Sequence, residues 1–159
     1  MSFTELNTVE HYIIHQLSGI NLNNENFSEI SRRNFKTYWN YQTQEQLGRS
    51  VNEVLIESQV KKALVRLNPE IEAKPELADE VIYRLRTILI SVHQVGLVKA
   101  NEEFMLWLTG QKTMPFGENN EHISIRLIDF DNFDNNFYVI TNQFRIINLE
   151  TKIPDVVLM

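Results

Sequence analysis

The spacing of apolar positions divides the chain in two. From Thr8 to about Thr109 they recur at helical intervals, and from His122 onward they alternate as strands do. Val9, Tyr12, Ile13, Gln16 and Leu17 fall at i, i+3, i+4, i+7 and i+8, which predicts a first helix over Thr8–Leu17 with Thr8 as its cap. Asn21–Ser31, rich in Asn and Ser, reads as a loop. Arg32–Tyr41 holds Phe35, Tyr38 and Trp39 and reads as a short helix or an irregular aromatic plug. The clearest helical pattern is Ser50–Leu67, apolar along Val51, Val54, Leu55, Ala63, Leu64 and Leu67, with Ser50 and Glu53 as a capping box. Asn68-Pro69 ends it, because the residue before a proline is pushed out of the helical region. A further helix is expected over Pro75–Val92, with Leu77, Val81, Leu85, Ile88 and Leu89 as its inward stripe. Leu97–Thr109 is the last, closed by Gly110, and Gln111–Asn120 is loop.

The period then changes to two. Ile123, Ile125 and Leu127 alternate with Ser124 and Arg126, which predicts a half-exposed strand. Phe130–Asn136 has turn composition, Phe137–Asn142 and Phe144–Asn148 read as a strand or strand pair, and Glu150–Lys152 as a turn. Asp155–Met159 is an apolar run suited to a buried strand. Such strands seldom close a finished domain, so the expectation is an N-terminal fragment of a longer protein, helical over 1–110 and sheet over 121–159. Its apolar edge would favour self-association.

Composition narrows the class. Hydrophobic residues make up 43% of the 159 and charged residues 23%, as in a single globular domain. The net charge of -6 argues against a stand-alone basic DNA-coating protein. With no cysteine there is no disulfide framework, no Cys-ligated zinc and no thiol nucleophile. The first residues lack the basic and apolar regions of a signal peptide, and no apolar run is long enough to span a bilayer; a cytoplasmic protein is expected.

Few residues stand out as chemistry. His11 and His15 lie four apart, as two metal ligands on a helix would, but the acid of H-E-x-x-H is replaced by Tyr12 and no third ligand is evident. His93 and His122 are isolated. Asp129, Asp131 and Asp134 have the spacing of a calcium loop without its glycine and closing glutamate, so they read as a hairpin turn. Arg32-Arg33 and Lys61-Lys62 read as solvated faces. No P-loop, G-x-S-x-G or G-x-G-x-x-G occurs. Asp155 follows Pro154 at the mouth of a strand, where a carboxylate can hold a divalent cation; on spacing alone it reads as an Asp ending a turn.

Several short segments, in order, carry a resemblance. They are Phe3-Thr4-Glu5 through Val9-Glu10, Leu47-Gly48-Arg49, Leu67-Asn68-Pro69, Asn101-Glu102-Glu103-Phe104 with Leu108-Thr109-Gly110, and Ile125–Phe130. Asn135-Asn136-Phe137, Asn142-Gln143-Phe144 and Pro154–Leu158 complete the series. Together they resemble the N-terminal nuclease domain of the restriction (R) subunit of type I restriction-modification enzymes, over nearly the whole chain.

The resemblance implies an α+β or α/β domain with a restriction-endonuclease-like PD-(D/E)xK core, its helical N-terminal part packed on a small mixed sheet. By position it makes Asp155 the first metal-binding carboxylate, and it makes Glu10 the additional helix-borne acid of such nucleases. Gln143 matches a strand position of the family and is read as structural. For the full-length protein it implies Mg2+, ATP in a downstream motor, DNA as substrate, and methyltransferase (M) and specificity (S) subunits as partners. No Glu-x-Lys follows Asp155 in these residues, so the segment alone is expected not to cut DNA. The rival reading is a non-catalytic scaffold docking the R subunit onto its partner subunits; a third is an orphan domain that kept the fold and lost the chemistry.

Overall fold

The computed structural model describes residues 9–23, 39–147 and 151–159. Its elements are α1 (His11–Ser18), β1 (Trp39–Tyr41), α2 (Glu57–Leu67), α3 (Pro69–Ala73), α4 (Leu77–Val95), α5 (Leu97–Leu108), β2 (Thr113–Met114), β3 (Ile123–Ser124), β4 (Tyr138–Asn142), β5 (Ile146–Ile147), β6 (Thr151–Lys152) and β7 (Val156–Leu158). This is a mixed α and β architecture. It falls into two compact units, one within Met1–Ile56 and Phe137–Met159, the other Glu57–Asn136. The expected cap Thr8, the segment Phe3–Glu5, the pair Arg32-Arg33 and most of the expected Asn21–Ser31 loop lie outside the described residues.

The first unit is built on a three-stranded sheet in the order β1-β4-β7. Trp39 pairs with Tyr138 in a parallel register, and Ile140, Thr141 and Asn142 pair with Leu158, Val157 and Val156 in an antiparallel one. The sheet is therefore mixed. Its central strand buries Val139, Ile140 and Thr141, which is why that stretch reads as apolar on both faces. Leu47, Ile56, Val139 and Phe144 form a core with Ile146, Val157 and Met159 packed against it. β5 and β6 make a small antiparallel hairpin. The described part of Arg32–Tyr41 is a strand rather than a helix or plug, because Trp39–Tyr41 finds a ladder partner 99 positions on, which local sequence does not announce. β7 is half-buried, with Leu158 exposed, rather than fully interior.

The expected helix over Ser50–Leu67 starts only at Glu57. The capping-box bond forms, with the Ser50 N–H donating to Glu53 Oε2 at 3.0 Å, but it closes an isolated turn. Backbone groups that a helix would need are used elsewhere. Arg49 donates to the carbonyls of Ser50 and Glu53 at 3.0 and 2.7 Å, and the Val51 carbonyl accepts from the Ile147 N–H at 2.8 Å.

The second unit packs α2, α3, α4 and α5 with the β2–β3 ladder. α4 buries Ala78, Val81, Ile82, Leu85 and Ile88, close to the expected stripe, though Leu89 turns outward. Gly110 ends α5 with φ 69, a left-handed conformation that glycine adopts without a β-carbon clash. The helix break at Asn68 is followed by α3, with Pro69 at its first position. The expected strand through Leu127 stops at Ser124, although Ile125 is buried and Arg126 exposed as the alternation requires. The reason is local. Arg126 gives its N–H to Asn68 Oδ1 and accepts from Asn68 Nδ2, both at 2.8 Å, so its backbone has no strand partner to seek.

Candidate functional site

The site begins with the way α1 is turned. The apolar-rich side of this helix is not the buried one: Tyr12 is 60% exposed and Val9 is exposed too. The inward stripe is Glu10, Ile14 and Ser18, spaced four apart, with Glu10 only 5% exposed. A carboxylate carried inward by a helix packed on β1 and β4 needs donors, since burying it without them would be costly.

The end of β4 supplies them. Gln143 Nε2 lies 2.9 and 3.0 Å from the two Glu10 carboxylate oxygens, and Asn142 Nδ2 stands 3.5 Å from Oε2. Among the described residues, the partners of Glu10 are thus neutral amides, and its charge is left uncancelled by a cation. Asn142 is itself oriented by Tyr41, whose hydroxyl donates to Asn142 Oδ1 at 3.0 Å. Burial, and then the Glu45 charge, raise the Tyr41 phenol above its ordinary value, so it keeps this proton at neutral pH. Gln44 donates to Thr141 Oγ1 at 3.1 Å and to the Asn142 carbonyl at 3.0 Å.

Gln143 also reaches the other expected acid. Its backbone N–H donates to the Asp155 carbonyl at 3.0 Å, and the next N–H, of Phe144, donates to the Pro154 carbonyl at 3.1 Å. Gln143 adopts φ 52 to make this turn, in the left-handed region. Asp155 stands at the exposed entrance to β7. Gln143 thus touches the Glu10 carboxylate through its side chain and the backbone carbonyl of Asp155, 145 positions from Glu10, through its N–H.

Arg49 braces that end. Its guanidinium carbon lies 3.6 Å from the Phe144 ring centroid, and it donates to the Arg145 carbonyl at 2.6 Å and to Gln44 Oε1 at 3.2 Å. Desolvation lowers its pKa and the Glu53 charge partly opposes that shift.

The other candidates stay apart. His11 Nδ1 sits 2.6 Å from Asn23 Oδ1. Asp129 anchors a loop in the second unit, taking the N–H groups of Asp131 and Asn132 at 3.0 Å and Asn135 Nδ2 at 2.8 Å. Among the described residues no three His, Asp or Glu side chains gather as a metal cage. The carboxylate oxygens of Glu10 and Asp155 are each the hard donor type that Mg2+ takes, an ion that keeps several waters and takes substrate phosphate as further ligands. The expected acids were named from sequence; Tyr41, Gln44, Arg49 and Asn142 were not, although Arg49, Asn142 and Gln143 fall inside the short segments that carried the resemblance.

The family of the type I restriction enzyme R protein N terminus (HSDR_N) matches residues 3–159, and the chain belongs to it. It is thus an R-subunit N-terminal region, from a family of restriction-system nucleases. No curated protein and no solved structure matches the chain. No helix among the described residues is long and apolar enough to cross a membrane.

Proposed function

We propose that Asp155 and Glu10 are the acidic half of a magnesium-dependent DNA-cleaving site on a PD-(D/E)xK core. In this reading the chain is part of the endonuclease domain of a cytoplasmic type I R subunit, which cleaves foreign unmethylated DNA with ATP-driven translocation by its motor and with M and S subunits as partners. The observation that carries the reading is the inward turn of Glu10. A helix with a more apolar side available buries its carboxylate instead, and holds it with uncharged donors beside the strand that Asp155 opens.

The roles follow from placement. Asp155, exposed at the strand mouth, is the direct metal ligand and meets the phosphodiester; Glu10, set back and held, is the second acid. Mg2+ bound there would polarise the scissile phosphate and lower the pKa of a bound water. No Glu-x-Lys follows Asp155 among these residues, so the 159-residue chain alone is expected not to cut DNA. In a complete restriction complex, Asp155→Ala should abolish cleavage and leave ATP hydrolysis intact. Cleavage retained by that variant, or magnesium-dependent cutting by the 159-residue chain that Asp155→Ala removes, would each count against part of the reading.

A second reading, docking onto the M and S subunits, is favoured by the corner between α4 and α5. Ile90, Leu97 and Val98 are 71%, 62% and 71% exposed there, and no Asp or Glu occurs between Glu80 and Glu102. Ile90→Ser with Val98→Ser should weaken subunit pull-down without changing the fold if this corner docks. Unchanged pull-down would discard it.

A further inference from the structure

We propose that Gln143 is a positioning residue, which holds the Glu10 carboxylate in place for a divalent cation while leaving its charge free. The inference rests on the reading of Glu10 and Asp155 as a metal site and names how that site is set.

Three observations converge on it. The side-chain amide is shared between both carboxylate oxygens at 2.9 and 3.0 Å, so it fixes the plane of the carboxylate and not only its position. The backbone N–H of the same residue is bound to the Asp155 main-chain carbonyl at 3.0 Å, which fixes the backbone of Asp155 to the residue that holds Glu10. Its φ of 52 is disfavoured for a glutamine, where glycine would sit without strain. An unstrained residue at this turn would lose the clamp.

The surroundings are built to keep that conformation. Phe144, next in the chain, is buried in the core of the first unit and covered by the Arg49 guanidinium, which also bonds the Arg145 carbonyl. The turn is thereby pinned immediately beyond Gln143. A lysine or arginine at this position would cancel the carboxylate charge; a glutamine orients it and leaves it available. Groups that orient metal-binding side chains in this way commonly change metal affinity ten- to a hundred-fold when removed.

The test uses the 159-residue chain and Mn2+ as the probe. Gln143→Gly fits the left-handed backbone but lacks the amide, and Gln143→Asn tolerates the same backbone with an amide one methylene too short. Metal-free melting temperatures establish that each variant is folded. Gln143→Gly relieves the backbone at φ 52 but leaves the buried Glu10 carboxylate without its closest donor, so the readout that a purely structural role would not move is the metal affinity. Mn2+ titrated by calorimetry should bind at least tenfold more weakly to both variants than to the parent. Parent and variants binding alike would overturn the role of Gln143 and leave the acids as a metal site. If Gln143→Gly fails to fold, Gln143→Asn alone decides the affinity. A parent that shows no binding removable by Asp155→Ala would overturn the metal site itself, and this inference with it.

Discussion

Replacing Asn68 by alanine tests how the second unit is held together. The side chain is 2% exposed and serves three backbone groups: Nδ2 donates to the Leu64 carbonyl at 2.9 Å and the Arg126 carbonyl at 2.8 Å, and Oδ1 accepts from the Arg126 N–H at 2.8 Å. Truncation strands the Leu64 carbonyl in the interior at a cost of about 2 kcal/mol. The two Arg126 groups lie nearer solvent, and losing each bond costs roughly 0.5–1 kcal/mol. The total is about 3–4 kcal/mol, a large share of the stability of a small domain. Asn68 makes no side-chain cap bond to α3, so no capping loss is added. The assay is urea unfolding followed by Trp107, buried in the same unit, in a Trp39→Phe background. The midpoint should fall by about 1 M or more with the slope unchanged. A loss below about 1 kcal/mol would refute the claim that this amide closes the unit.

Two further outcomes follow from other parts of the molecule. Phe144→Ala should cost about 3–5 kcal/mol by emptying the core and removing the ring under Arg49; urea unfolding read by Trp39 in a Trp107→Phe background checks it, and a loss under about 1 kcal/mol would contradict it. The Asp129 carboxyl lies below its ordinary 3.8, held there first by the Asn135 amide and then by the Asn132 N–H. A lowered folded value gives stability that is present above 3.8 and lost as pH falls through the folded value. Melting temperatures from pH 6 to pH 2 should therefore drop more steeply for the parent than for Asp129→Asn, and parallel curves would count against the prediction.

The elements that sequence disclosed are those set by local pattern. α5 ends at Gly110 as its pattern announces, and the stripe of α4 follows its apolar spacing, although that helix runs three residues past the expected Val92, to Val95 just before Gly96. What was hidden depends on residues far apart. Arg126 reads as strand, and only a side chain 58 residues away explains why the ladder stops short of it. Ser50 and Glu53 read as a helix start; the competing claims of Arg49 and Ile147 on that backbone come from another part of the chain. The orientation of α1 was missed for a related reason. Apolar count selects Val9, Tyr12 and Ile13, whereas the side facing the sheet is chosen by what Glu10 finds there.

The division of the chain also sets an order of events. Glu57–Asn136 is one continuous stretch, while the unit holding the two acids is split around it. Tyr41 and Asn142 are 101 residues apart, and Glu10 and Gln143 are 133 apart. During synthesis the helical unit can fold as it leaves the ribosome. β1 must then wait roughly 5–20 s for its parallel neighbour, at about 5–20 residues added per second. Until then Glu10 has no amide to meet, and Trp39 no strand beside it. The amide that meets the Glu10 carboxylate is made after the whole helical unit, so a product interrupted before Gln143 would carry a folded helical unit and a Glu10 without that partner.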